Sequence, residues 1–140
     1  MVDHIAFFKE VGRLKTLPRT GWVKRGIENP ESVADHMLRS QYIVYDLAKA
    51  VGENPEACAF IMMVHDLAEA KVGDLTPDCG VSKQEKARLE LEAAIHLADL
   101  SGNPEYLAAY KEYAEGKTLC AKICSEADKL ECLVQVVEYM

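Results

Sequence analysis

His65, Asp66, Glu69 and Asp74 stand within ten residues of one another, in Val64-His-Asp-Leu-Ala-Glu-Ala-Lys-Val-Gly-Asp74. The residues just before them, Ala57, Phe60, Ile61, Met62, Met63 and Val64, are too densely apolar for an exposed helix. The pattern predicts a core helix that begins near Pro55 and carries His65 to Glu69 in its second half. A buried imidazole and several carboxylates cost roughly several kcal/mol each unless something pairs them. A metal ion is the most economical partner. His65 and Asp66 point about 100° apart on a helix, so an ion beside it can take both, with Glu69 next to it. His36 from an earlier helix and Asp128 from the last one would complete a set of two imidazoles and two carboxylates. That set suits one divalent transition ion, Mn²⁺, Co²⁺, Ni²⁺, Fe²⁺ or Zn²⁺, better than Ca²⁺ or Mg²⁺.

The elements that must position these residues are all helical. A first helix over 4–17 ends at Pro18. Residues 18–31 read as a loop rich in Gly, Pro and Arg, holding Arg19, the single Trp22, Lys24 and Arg25. Trp22 is either a ligand-facing loop residue or a side chain folded back on the core. Ser32-Val-Ala-Asp35 has the spacing of a capping box and opens a helix to about Val51, with Val33, Met37, Val44, Leu47 and Val51 inward. Asn54-Pro55 opens the core helix. Ser82 to Leu100, Asn103 to Glu115 and Thr118 to the end give three more. On the last, Leu119, Ile123, Leu130, Val134 and Val137 form one side, and Ala121, Cys124, Asp128, Cys132 and Gln135 another. No strand signal competes. The expected fold is all-α, a compact single domain over residues 1–140 with about six helices.

Bulk properties narrow the function. Net charge is −7 and no basic run exists, which excludes an extended nucleic-acid surface but leaves room for a patch that grips one phosphate. No apolar run is long enough to span a bilayer, and the N-terminus is not a signal peptide. Five cysteines, an odd count, then read as reduced thiols in a cytoplasmic protein, those at 120, 124 and 132 as small core fillers.

The order His36 … His65-Asp66 … Asp128 in a helical chain resembles the HD-domain metal-dependent phosphohydrolase superfamily. His65-Asp-Leu-Ala-Glu69-Ala-Lys-Val-Gly-Asp74 resembles the His-Asp-x-x-Glu-x-x-x-Gly-Asp signature of its 5′-deoxyribonucleotidase-like branch. Arg19-Thr-Gly-Trp22 and Glu31-Ser-Val-Ala-Asp-His36 resemble the N-terminal region of that branch. The resemblance implies hydrolysis of a nucleoside 5′-monophosphate, deoxy forms preferred, by a homodimer or higher homo-oligomer. It implies that His36, His65, Asp66 and Asp128 hold one metal ion, and that Glu69 orients or deprotonates the attacking water. It further implies that Asp74 binds the sugar 3′-hydroxyl and assists the departing oxygen as a second catalytic residue, that Arg19 binds the phosphate, and that Trp22 presses on the sugar where a 2′-hydroxyl would sit. Trp22 stands two residues further from Arg19 than in the adjacent Arg-Trp pair of the branch, which leaves Arg25 as a second candidate for the phosphate. The chain also stops sooner after Asp128 than relatives do, so a pocket wall is expected to be open or supplied by a second subunit.

The same site also suits a promiscuous phosphomonoesterase for another small phosphate, and three further readings compete. A dinuclear enzyme, a cyclic-nucleotide phosphodiesterase or an oxygenase, needs more histidines, and His96 is the one candidate, better read as a helix-face residue. A structural metal staple in a binding protein has no use for Glu69 and Asp74. A packing role without metal leaves the clustered charges unexplained.

Overall fold

Short polar side chains mark where the helices start. In the computed structural model, which describes residues 1–140, Asp3 accepts a hydrogen bond from Ala6 N (3.0 Å) and opens α1, His4–Gly12. Ser32 and Asp35 close a reciprocal capping box, Asp35 N to Ser32 Oγ at 3.1 Å and Ser32 N to Asp35 Oδ2 at 2.8 Å, and α3 runs Val33–Val51. Asn54 caps α4, Pro55–Val64, through Ala57 N. Ser82 caps α6, Lys83–Ser101, and Gly102 ends it in the left-handed conformation. After α7, Glu105–Glu115, Thr118 caps α8, Leu119–Tyr139. These six helices match the six expected. Two short ones are additional: α2, Thr20–Lys24, and α5, Glu69–Val72. No β-strand forms; Pro18 and Ser32 make one isolated antiparallel bridge. No helix is long and apolar enough to cross a membrane.

The chain forms two compact units. The first takes residues 1–35 and 66–107. Here α1 packs against α5 and α6, with Phe7, Leu14, Ala70, Ala94 and Leu97 buried. Asp3 N bonds Leu100 O (2.8 Å), and Phe7 stacks at a tilt on Tyr106, centroids 5.2 Å apart. The 18–33 segment is pinned at both ends, by Arg19 N to Glu31 O (3.0 Å) and Val33 N to Leu17 O (2.8 Å). The second unit takes residues 36–65 and 108–140. In it α4 packs against α8, and Val44, Ala48, Ile61, Met62, Ala121, Cys124 and Ala127 are buried.

The structure corrects several expectations. α1 stops at Gly12 and tightens into a 3₁₀ turn over Arg13–Lys15 instead of continuing to residue 17. The 18–31 segment contains α2, because Asp74 supplies a cap from 54 residues away (below). α4 ends at Val64, and residues 65–68 are turns. Here the hydrogen bonds shorten from four residues to three: His65 N to Met62 O, Glu69 N to Asp66 O, Ala70 N to Leu67 O. His65 and Asp66 therefore sit past the end of a helix and not inside one. On α3, Val51 is 60% exposed, beyond the stretch that packs. On α8 the small-residue stripe around Asp128 faces inward with Ile123, while Leu119, Leu130, Val134 and Val137 are exposed.

The cysteines are also corrected. Cys58 of α4 and Cys120 of α8 form a disulfide, 62 residues apart in sequence. Cys79, Cys124 and Cys132 remain free thiols. Cys124, completely buried, donates its S–H to the Cys58 carbonyl at 3.3 Å.

Candidate metal centre

Within the second unit three sequence-predicted ligands converge. His36 lies one turn inside α3 and is 0% exposed; His65 follows the last residue of α4; Asp128 faces inward from the middle of α8. One ligand atom from each lies within 4.8 Å of the others. His36 Nε2 is 2.6 Å from Asp128 Oδ1, and His65 Nε2 is 3.3 Å from the same oxygen. The two rings meet edge-on at 5.7 Å, and Tyr113 closes over His65 with centroids 5.1 Å apart.

The other ring nitrogens decide what this cluster can hold. His36 Nδ1 lies 2.5 Å from Glu131 Oε1, and His65 Nδ1 lies 2.5 Å from the Met62 carbonyl oxygen. Both partners accept hydrogen bonds, so both Nδ1 atoms carry a proton. A neutral imidazole then presents a bare lone pair at Nε2. Two such lone pairs aimed at one carboxylate oxygen repel it unless a positive charge sits among them. A divalent ion supplies that charge, and the Nδ1 bonds to a carboxylate and a backbone carbonyl are the usual supports of metal-bound histidine. Without an ion, protons take its place. Burial pushes the Asp128 carboxyl up, but hydrogen bonds from His36 and His65 hold it well below the usual carboxylate range. The donor set thus fits a divalent transition ion. Asp66, bonded to His65, is half-buried in the turn that follows.

The remaining predicted residues belong to the first unit. Arg19 is half-buried and forms the N-cap of α2, its carbonyl accepting from Trp22 N (3.1 Å) and Val23 N (3.3 Å). Trp22 is buried, 8% exposed, so its ring folds inward. Arg25 is exposed and donates Nη1 to the Gly21 carbonyl at 3.0 Å. Asp74 has a task that sequence reasoning missed: its Oδ2 accepts from Thr20 N (2.8 Å), and its carbonyl accepts from Thr20 Oγ1 (2.7 Å). It is therefore the cap of α2. Lys24 ties the same segments together through Thr76 (2.7 Å) and Asp78 (2.6 Å), which holds the exposed Asp78 carboxyl down at about 2. Glu69, half-buried at the start of α5, lines a cleft of about 350 Å³ with Arg13, Thr16, Lys71 and Gly73. His96 is an exposed residue on α6.

The family of the HD domain matches residues 11–140. The chain belongs to the HD domain family. This HD domain is similar to 5′-deoxynucleotidase HDDC2 of Danio rerio, 41% identical over 142 residues, covering 99% of this chain and 70% of that protein. It is similar to 5′-deoxynucleotidase hdd1 of Schizosaccharomyces pombe, 42% identical over 142 residues, covering 96% and 71%. Among solved structures it superimposes on a conserved hypothetical protein from Pyrococcus furiosus, with a TM-score of 0.84 at 34% identity, over 96% of this chain and 81% of that one.

Two residues beside the centre of this HD domain escaped the sequence reading. Glu131 is 1% exposed and bridges His36 and Arg39, its Oε2 accepting from Arg39 Nε at 2.7 Å. The signal that could have found it is spacing: it follows Asp128 by three residues, as Arg39 follows His36. Burial pushes the Glu131 carboxyl up, but hydrogen bonds from His36 and Arg39 bring it below its ordinary value. Asp128 and Glu131 therefore bind fewer protons folded than unfolded, and their stabilisation is complete above the ordinary carboxylate range and lost as pH falls below it. Metal-free protein should lose stability as the pH drops below about 4.5. Urea unfolding across that window should show a shallower slope for Glu131→Gln; an equal slope counts against this account.

Proposed function

We propose that this HD domain is a metal-dependent 5′-deoxynucleotidase, hydrolysing deoxynucleoside 5′-monophosphates to nucleoside and phosphate. The observation that carries the reading is the pair of Nε2 lone pairs trained on one Asp128 oxygen. The names of its relatives support the reaction. In the proposal His36, His65, Asp66 and Asp128 hold one divalent transition ion, which when bound supplies Lewis-acid activation of water and phosphoryl oxygen. Glu69 takes the proton of the attacking water and returns it towards the leaving alkoxide. Arg19, half-buried at the head of α2, binds the phosphate, and Arg25, which is exposed, stays outside the site. Asp74 receives the sugar 3′-hydroxyl on the carboxylate whose other oxygen holds Thr20. Trp22, fixed by burial, limits space at the 2′-position.

The match over residues 11–140 supports a single domain. A homodimer belongs to the proposal, supported by the exposed apolar Leu130, Leu133, Val134 and Val137 on α8. A cytoplasmic location follows from the nucleotide substrate, and the Cys58–Cys120 disulfide is the observation against it.

The test is phosphate release from deoxy- and ribonucleoside 5′-monophosphates after chelation, with Mn²⁺, Co²⁺, Ni²⁺, Fe²⁺ and Zn²⁺ added back. Restored release from the deoxy series is expected, and Glu69→Ala should lose about 10²-fold or more. Stoichiometric metal with no cleavage of any monophosphate would sink the proposal.

A further inference from the structure

We propose that Glu131 and Arg39 form a positioning relay that fixes the tautomer and orientation of His36, and thereby sets how tightly the centre holds its ion. The inference rests on the reading of His36, His65 and Asp128 as metal ligands. Its geometry is a double ladder. On α3, His36 and Arg39 are three residues apart. On α8, Asp128, Glu131, Gln135 and Glu138 follow at steps of three, four and three, so they share one face. Glu131 spends one oxygen on His36 Nδ1 (2.5 Å) and the other on Arg39 Nε (2.7 Å). Arg39 extends the ladder outward: Nη2 donates to Gln135 Oε1 at 2.5 Å, and Nη1 pairs with Glu138 at the exposed end.

Each rung has a physical reason. A carboxylate as buried as Glu131 needs partners on both oxygens, and Arg39 provides the compensating charge. An anionic Glu131 accepts the Nδ1 proton of His36, which leaves Nε2 bare on the side of Asp128. The same bond raises the basicity of the ring and stops it from turning. An ion pair present for packing alone would have no need of the imidazole. The arrangement also explains why Arg39 engages three partners on α8: a guanidinium held at three points cannot swing away and leave Glu131 uncompensated.

The experiment titrates metal-free protein with Co²⁺, followed by visible absorption, in wild type, Glu131→Gln, Arg39→Lys and Arg39→Gln. Thermal unfolding confirms that each variant is folded, and the Arg39 variants, altered nearer the surface, carry the test if Glu131→Gln does not fold. Glu131→Gln should weaken Co²⁺ binding about 10- to 100-fold, with Arg39→Gln close behind and Arg39→Lys between it and wild type. ¹⁵N spectra of the metal-free proteins should show His36 protonated at Nδ1 in wild type and an Nδ1–H population that falls in the variants, a signature that a merely structural role would not move. Folded variants that bind Co²⁺ within about threefold of wild type, with the His36 tautomer unchanged, overturn the relay. A wild-type protein that binds no Co²⁺ overturns the metal reading itself, and the relay with it.

Discussion

Asp128→Ala should abolish stoichiometric metal binding and lower phosphate release from deoxynucleoside monophosphates by on the order of a thousandfold. Asp128 supplies the oxygen that both Nε2 atoms share, at 2.6 and 3.3 Å. No substitution elsewhere on α8 replaces it, because the neighbouring inward acid, Glu131, is engaged on the far side of His36. The helix itself tolerates the change, since alanine is the better helix former. A second result separates this effect from damage. In metal-free protein at neutral pH the substitution removes the carboxylate that accepts from His36 and His65, so the variant should melt below metal-free wild type in one cooperative transition, and the gap should close as the pH falls below about 4. Metal content by mass spectrometry, phosphate release and calorimetry check the three parts. An Asp128→Ala protein that keeps its metal and its turnover would refute the site.

The second large effect concerns the disulfide. Joining Cys58 to Cys120 closes a 62-residue loop in the unfolded chain, and the chain-entropy relation gives a stabilisation of roughly 4 kcal/mol. Reduction should therefore lower the melting temperature by about 10 °C or more for a chain of this size. Cys124 lies beside the bond but does not exchange with it readily, because burial pushes its thiol up to about 12 and the neutral thiol is a poor nucleophile. Calorimetry with and without a phosphine reductant measures the shift, and a non-reducing peptide map identifies the pair. Five free thiols in the native protein, or a melting point indifferent to reductant, would count against it.

Much of this was legible in the chain. Ser32-Asp35, Asn54-Pro55, Ser82 and Thr118 announce helix starts by local chemistry alone, and all four cap in the structure. His36, His65 and Asp128 could be grouped because their types share one chemistry. What escaped depends on partners distant in sequence. The five-residue α2 exists because Asp74 caps it. The disulfide depends on α4 lying against α8. The inner face of α8 was legible in part, in the small residues that leave Asp128 room to reach inward. Where two helices approach closely, the contact face is built from Ala121, Cys124 and Ala127, and the larger Leu130, Val134 and Val137 lie outside. Glu131 escaped because its two partners, His36 and Arg39, lie on another helix, and only its three-residue spacing from Asp128 hinted at it.

The clasp between Thr20 and Asp74 has a thermodynamic corollary. Five residues cannot hold a helix unaided, so α2 draws its order from the Asp74 carboxylate and carbonyl. A ligand that steadies Arg19 at the head of α2 steadies Asp74, and one that grips Asp74 steadies Arg19. By reciprocity the two ends of a substrate bound there would share a single coupling free energy. Substitutions at Arg19 and Asp74 should then combine non-additively, and a double-mutant cycle on substrate affinity measures the coupling directly.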